Sequence, residues 1–377
     1  MTLQQKASQL IEGSPAIPAN QLGGGALHTT ATKGLARYSW WAEALHGLLR
    51  DNMNPQSEGT KDNVSYAQSL TMGSTWNPDL YYEGAIAIAD ECRERSIKNS
   101  LGNALNINFY SPTVNMQRDP RWGRNEESYS EDVYLNSVMG AAFVNGMEGK
   151  DREGNVIDPS GYLKTHTTIK HYTANNSERN RLNGGATSDV RAIREYYTAP
   201  YRNVIQATDV SSVMTAYSTL NGEPSSYSSY LMDTLLREIY GLSGYITGDC
   251  DSVNSMQNLH YINYYTGKEI TAPEAFAGAL AHGEDLECNG GYQGTGNYNS
   301  YSSQMLSGNV QTDKGLFTEN SVDISLHRLM MARISTGEFD DDLALTAAAN
   351  QRMADQKAAK PNSGVANQTK ERLDIVD

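Results

Sequence analysis

Asp249 ends a short run, Tyr245-Ile246-Thr247, that breaks at Gly248 and goes on as Cys250-Asp251. A β-branched run that stops at a glycine reads as a buried strand reaching its end, so this carboxylate should stand at the mouth of a fold. Other residues able to do chemistry share that position. "LKTHTTIKHY" ends on Lys170-His171, "ALNINFYSP" ends a strand near Tyr110, and "ATDVSSVMTAYS" ends near Tyr217. A carboxylate among Lys, Arg, His and Tyr should stay ionised, because nearby positive charge lowers its pKa. It can then serve as a nucleophile, an electrostatic stabiliser or a ligand for hydroxyl groups. The cations and phenols are donors in fixed positions, suited to a polyhydroxylated ligand. An ion-pair network closing one end of a sheet would use the same residue types, and both readings stand at this point.

The elements that must position these residues alternate between strand and helix. The segment "SYSEDVYLNSVMGAAFVNG" is predicted as a helix, with Ser128 or Ser130 as N-cap and acidic residues in its first turn. "SSYLMDTLLREIYG" should be helical up to a stop at Gly241, and "APEAFAGALAHG" from an early Pro273 to Gly283. "EDLEC" reads as a short strand, and Ser321 to Arg333 as a last amphipathic helix. Leu3, Ala7, Leu10 and Ile11 place another helix at the N-terminus. Strand, loop and helix in repetition predict a parallel α/β sheet, and no Gly-rich phosphate loop follows the strands. The length up to Phe339 suits a (β/α)8 TIM-like barrel with insertions, whose chemistry lies at the C-terminal strand ends. Residues 1–339 are therefore read as the barrel domain. Residues 340–377, polar and Ala-rich, are read as a connecting segment in which "KERLDIVD" looks like the first turns of a further helix.

Composition excludes several classes. The formal net charge of −14 over 377 residues argues against nucleic acid as a partner. No apolar run is long enough to span a bilayer, so no membrane partner is expected. "MTLQQKASQLIEG" lacks a basic region followed by an apolar core, so a cytoplasmic chain is expected, or an extracellular one if a leader was removed. Cys92, Cys250 and Cys288 make no disulfide framework, and without CxxC or HxxxH spacing no metal site is expected. Tyr outnumbers Phe 23 to 5, a slight tilt toward surfaces that combine apolar faces with polar tips.

Six ordered segments carry a resemblance. "WWAEALHG" (Trp40 to Gly47), "RDPRWGRNEESYSEDVYL" (Arg118 to Leu135) and "IKHYTANNSERNR" (Ile169 to Arg181) are similar to motifs of glycoside hydrolase family 3. So are "VMTAYSTLNGEPSSYSSYLMDTLLREIYG", "GYITGDCDSV" and "AHGEDLEC" (Ala281 to Cys288). The resemblance covers Met1 to about Phe339 and lies on the β-xylosidase/β-glucosidase branch. It implies that Asp249 is the catalytic nucleophile of a retaining exo-glycosidase, with Gly248 where the family pattern has Ser. It further implies that Lys170 and His171 bind hydroxyls in the first sugar subsite and that Arg124 faces the same sugar, with Tyr217 beside the nucleophile and Tyr110 on the opposite wall.

Glu43, in "EALHG", matches an acidic residue at the far hydroxyl of the sugar and would fill the space a hydroxymethyl group needs. The implied substrate is therefore a β-xyloside or xylo-oligosaccharide, with arabinofuranosides second; a β-glucosidase is the alternative. His46 is expected to support Glu43, Arg121 to anchor its loop through a buried carboxylate, Asp251 to point away from the nucleophile, and Asp285 and Glu287 to line the pocket edge. Relatives with this pattern often join the positions of Cys250 and Cys288 in a disulfide, and carry non-proline cis bonds near Lys170-His171.

Retaining hydrolysis also needs a general acid/base, about 5–5.5 Å from the nucleophile. This branch of the family takes it from a second, α/β sandwich domain, and the loop after "KH" holds no His that could replace it. The expectation is a barrel that holds the nucleophile while a further domain supplies the acid. No metal or organic cofactor is implied. A barrel that binds sugar without turnover is the reading from a different class.

Overall fold

The computed structural model describes residues 1–22, 34–48, 64–99, 107–159, 161–288 and 297–339. The connecting segment expected over 340–377 lies outside the described residues.

Four parallel strands form the centre, in the order Asn108–Phe109, His166–Tyr172, Ser212–Thr215 and Tyr245–Thr247. Asn108 stands opposite His166, Thr168 opposite Ser212, and Ser212 opposite Tyr245. Single parallel bridges extend the sheet at both sides, Ala42 to Phe109 and Thr247 to Leu286. The strand expected in "EDLEC" is thus reduced to bridge pairings, at Leu286 and at Glu287 with Ile11. Every residue of His166–Tyr172 is buried, polar ones included. That is the pattern of a strand covered on both faces, which explains why its run shows no hydrophobic alternation.

The crossovers are helices, as parallel pairing requires. Val133–Glu148 joins the first strand to the second, Ala199–Thr208 the second to the third, and Tyr230–Ile239 the third to the fourth. Ala272–Ala281 follows the fourth. One hydrophobic cluster packs Met139 and Phe143 against Ile169 and Val213; a second packs Phe276 and Leu280 against Tyr245 and Leu286. Gly241 and Gly283, with φ of 81° and 106°, end their helices in a backbone region open to glycine, as the sequence predicts.

Two helix expectations are corrected. The cap of Val133–Glu148 is Asp132, whose side chain accepts the Leu135 N–H at 2.7 Å, and no further acidic residue sits in the first turn. Ser128 instead donates to the Asn115 carbonyl, and Ser130 accepts the Asp132 N–H at 3.0 Å, which turns the chain into the helix. Tyr230–Ile239 is wound with i→i+5 bonds rather than as an ordinary α-helix; its buried Leu231, Met232, Leu235 and Leu236 still face the core.

The N-terminal strand ends are tied together beneath the sheet. Glu148 accepts the Thr167 hydroxyl at 2.6 Å, the Thr167 N–H at 3.1 Å and the Ser211 N–H at 3.0 Å, and pairs with Lys150 at 2.7 Å. A fully buried carboxylate needs such complete pairing. The opposite ends, where Lys170, His171, Tyr217 and Asp249 lie, carry the candidate site. No described helix is long and apolar enough to cross a membrane.

Candidate active site

The chain turns sharply where the second strand ends. The Lys170–His171 bond is cis, as the resemblance implies, and so is Tyr172–Thr173. Asn115 holds this turn from both sides: its Oδ1 accepts the His171 N–H at 2.7 Å and its Nδ2 donates to the His171 carbonyl at 2.9 Å. Lys170 then reaches Glu43, with Nζ 3.0 Å from Oε2 and 3.3 Å from Oε1. Trp41 Nε1 donates to Glu43 Oε1 at 3.3 Å, and the partly buried Trp41 ring stacks on Tyr110, which is 1 % exposed.

Arg124 faces the same space. Its Nε and one terminal nitrogen donate to the two oxygens of Glu127 at 2.8 and 2.7 Å, a bidentate pair. Its other terminal nitrogen stands 3.7 Å from Glu178, which pairs with Arg181 at 2.7 Å. Arg181 in turn lies over the Tyr217 ring, 5.0 Å from its centre. A cavity of about 250 Å³ opens here, lined by Glu43, His46, Arg124, Glu126, Glu127 and Lys170 among others.

Asp249 does not line that cavity directly. Its side chain, 11 % exposed, lies 3.7 Å from His171 Nε2. Oδ1 accepts the Cys250 N–H at 2.8 Å, whereas Oδ2 has no hydrogen-bond partner among the described residues. Tyr217 donates its hydroxyl to the Cys250 carbonyl at 2.5 Å, next to the same turn. A disulfide between Cys250 and Cys288 pins that turn to the following segment.

The electrostatics correct one expectation. Burial pushes the Asp249 carboxyl above its ordinary value, and Arg124, Arg181, Lys170 and the Cys250 N–H oppose the shift without reversing it. Desolvation outweighs the cations that the sequence places nearby. Burial also drives His171 well below the usual imidazole range, assisted by Arg124, Lys170 and Arg181, so its ring beside Asp249 is neutral. Burial acts against the charge of Arg124, yet its guanidinium is held charged by Glu127, Asp249 and Glu178. Against its own burial, Glu127 is pulled below its ordinary value by Arg124 and Lys170.

Asp249, Lys170, His171, Arg124, Glu43 and Tyr217 therefore share one region, with Tyr110 as the floor under Trp41. His46 lines the cavity with Glu43. Three neighbours lie elsewhere. Arg121 pairs with the partly exposed Asp119 at 2.6 Å on the surface, since its loop turns outward and offers no buried carboxylate. Asp285 is turned away from the pocket: it pairs with Arg237 and Arg328, both at 2.8 Å, and accepts the Ile246 N–H at 2.9 Å. Glu287 is wholly buried rather than at an edge. Asp251 has φ of 64° and lies beyond the strand, so alternation does not govern its direction. Trp41, Asn115, Glu127, Glu178 and Arg181 were not expected at the site. A buried carboxylate with one oxygen fixed and one unpartnered, ringed by donors, can attack an electrophilic carbon or accept a ligand hydroxyl.

The model of the glycosyl hydrolase family 3 N-terminal domain matches residues 49–334. The chain is 30% identical over 350 residues to beta-D-xylosidase 1 of Arabidopsis thaliana, covering 91% of this chain and 40% of that protein. It is 28% identical to a xylan 1,4-beta-xylosidase of Xylanibacter ruminicola, covering 90% of this chain and 35% of that one. Among solved structures, a family 3 exo-beta-xylosidase in complex with a xylobiose aziridine activity-based probe superposes with a TM-score of 0.77 at 24% identity, covering 100% of this chain and 43% of that one. Beta-glucosidase 3B from Thermotoga neapolitana follows the same fold, with a TM-score of 0.64 at 23% identity, over 90% of this chain and 42% of that one. The chain thus spans about two fifths of the length of the curated relatives it matches.

Proposed function

The chain belongs to glycosyl hydrolase family 3, and from that premise we propose that it carries the nucleophile and first sugar subsite of a retaining exo-acting β-xylosidase. The observation that carries the reading is Asp249 itself: Oδ1 is anchored on the Cys250 N–H, Oδ2 has no hydrogen bond among the described residues, and His171, from the second strand's end, brings Nε2 to 3.7 Å. In this mechanism Oδ2 attacks the anomeric carbon as the bond to the aglycone oxygen breaks. A carboxyl group from a second domain gives that oxygen its proton. The same group then takes a proton from water, whose oxygen displaces Asp249 from the sugar and restores the carboxylate. Lys170, His171 and Arg124 hold the sugar's hydroxyls.

The sheet is read as closing into a barrel around this site. Three contacts support closure: the Glu12 N–H donates to the Glu287 carbonyl at 2.9 Å, the Trp40 N–H to the Glu12 carbonyl at 3.1 Å, and the Ala42 N–H to the Asn108 carbonyl at 2.9 Å. They link the segment beside the fourth strand back to the first. One segment runs antiparallel, Gly13–Ser14 against Tyr38–Ser39, so the barrel is irregular at its start.

The direct test is release of dinitrophenol from a dinitrophenyl β-xyloside, a leaving group that needs no acid. Turnover, or a stoichiometric burst, supports the reading; a chain that binds xylose but releases nothing would reduce it to a sugar-binding barrel. Specificity is assigned to Glu43, whose carboxylate is fixed by Lys170 and Trp41, on the family resemblance that sets this residue against the space beyond the sugar's C5. Glu43→Asp opens that space and keeps an acceptor. One CH2OH group discriminates by about 1–3 kcal/mol, so the ratio of kcat/KM on the dinitrophenyl glucoside to that on the xyloside should rise by roughly ten- to a hundredfold. An unchanged ratio, or a wild type that already prefers the glucoside, would assign the chain to the β-glucosidases.

A further inference from the structure

Behind the turn that carries Asp249 lies a carboxyl group the mechanism does not use. Glu284 is fully buried, and so is Glu287 beside it. Thr215 donates its hydroxyl to Glu284 Oε2 at 3.3 Å, and Tyr298 donates to Oε1 at 3.4 Å. The Thr215 hydroxyl lies 2.6 Å from that of Ser226, which lies 2.8 Å from that of Ser252. Ser252 closes the chain by donating its backbone N–H to the Asp249 carbonyl at 2.7 Å. A line of hydroxyls thus runs from Glu284 to the residue proposed as nucleophile.

Gly248 belongs to the same arrangement. A Cβ at this position would come within 2.5 Å of Ser252 Oγ and 2.8 Å of Glu284 Oε1. Both atoms are buried, so neither has solvent to move into. The glycine's missing side chain and the Glu284 carboxyl fill one space. The groups facing Glu284 are Thr215, Ser226, Glu287 and Tyr298, with Asp251 close to Glu287. Asp285, next in the chain, is turned the other way and takes up Arg237 and Arg328. Neither buried glutamate has an ion-pair partner among the described residues. An unpaired buried carboxylate is costly, and a like charge beside it adds to the cost, so the acid form is favoured. Burial pushes the Glu284 carboxyl up to about 8.

We propose that Glu284 is a positioning residue for Asp249: as an uncharged carboxylic acid it fills the space that Gly248 leaves and, through Thr215, Ser226 and Ser252, fixes the turn that presents the carboxylate. The proposal rests on the reading of Asp249 as nucleophile. Ionisation of Glu284 places a bare charge behind that turn, beside the Glu287 carboxyl.

The test is the rate at which a dinitrophenyl 2-deoxy-2-fluoro-β-xyloside labels the chain between pH 6 and 10, with Tm measured on each variant. The wild-type rate should fall about tenfold per pH unit above the Glu284 transition. Glu284→Gln has the shape of the neutral acid and no proton to lose, so it should label within about threefold of wild type at pH 6.5 and show no alkaline fall. Glu284→Leu fills the space without the hydrogen bonds and should label about ten- to a hundredfold more slowly. An alkaline fall unchanged in Glu284→Gln, or a Glu284→Leu variant that labels like wild type, overturns the proposal. Gly248→Ser should lower Tm by several degrees, a loss largely relieved in Gly248→Ser/Glu284→Ala; additive losses also overturn it. A wild type that is never labelled contradicts the β-xylosidase reading instead, and the Tm pair still decides whether Gly248 and Glu284 share one space.

Discussion

Asp249→Asn should cut turnover of a dinitrophenyl β-xyloside by about four orders of magnitude or more, while xylose binding changes little, because a covalent catalyst has lost its nucleophile. The side chain keeps its shape, and its Oδ1 can still accept the Cys250 N–H. Lys170, Glu43 and Arg124 do not depend on Asp249 for their own hydrogen bonds, so the sugar's contacts survive. The disulfide holds the turn in both proteins. The measurement is kcat and KM on the activated xyloside, alongside the Kd for xylose. Activity within about tenfold of wild type would make Asp249 a structural carboxylate.

Arg124→Met has the next largest expected effect, a fall in kcat/KM of about a hundred- to a thousandfold, as when one preorganised charged donor is removed from a reacting centre. Two consequences combine. The Glu127 carboxylate, 20% exposed, loses both hydrogen bonds of its bidentate partner and keeps only the Thr113 hydroxyl, at 3.3 Å, and the charge of Lys170. Asp249 also loses the strongest of the charges that counter its burial, so its already raised pKa rises further. The sign follows. Asp249 must be ionised to attack, so the acid limb of kcat/KM against pH should move to higher pH in Arg124→Met. Arg124→Lys should recover little of the loss, because an ammonium cannot reproduce the two parallel bonds to Glu127. An acid limb that does not move would mean that Arg124 acts on the sugar alone.

The legible part of this molecule lies where a local signal marks a local event. The run Tyr245-Ile246-Thr247 and its break at Gly248 locate Asp249 at a strand end, and Lys170-His171 end a β-branched run in the same way. Gly241 and Gly283 mark helix ends because their backbone angles favour glycine. Residues that matter through distant packing left no such mark. Glu178 sits in a polar loop, yet it packs 3.7 Å from Arg124. Asn115 lies in an unremarkable stretch and holds His171 from 56 residues away in sequence. The net direction of the Asp249 shift depends on how far burial outweighs its cations, and depth of burial cannot be read from residue types. The same holds for Asp285, whose partners Arg237 and Arg328 become neighbours only once two helices pack.

The central claim is that Asp249 forms the bond to the sugar, and the most direct measurement is peptide mapping by mass spectrometry. The chain would be incubated with the dinitrophenyl 2-deoxy-2-fluoro-β-xyloside, digested at low pH and searched for a peptide heavier by one fluoroxylosyl group. A single ester on Asp249, absent from Asp249→Asn, is the result expected. An ester on Asp251, Glu127 or Asp285, or one that persists in Asp249→Asn, would contradict it.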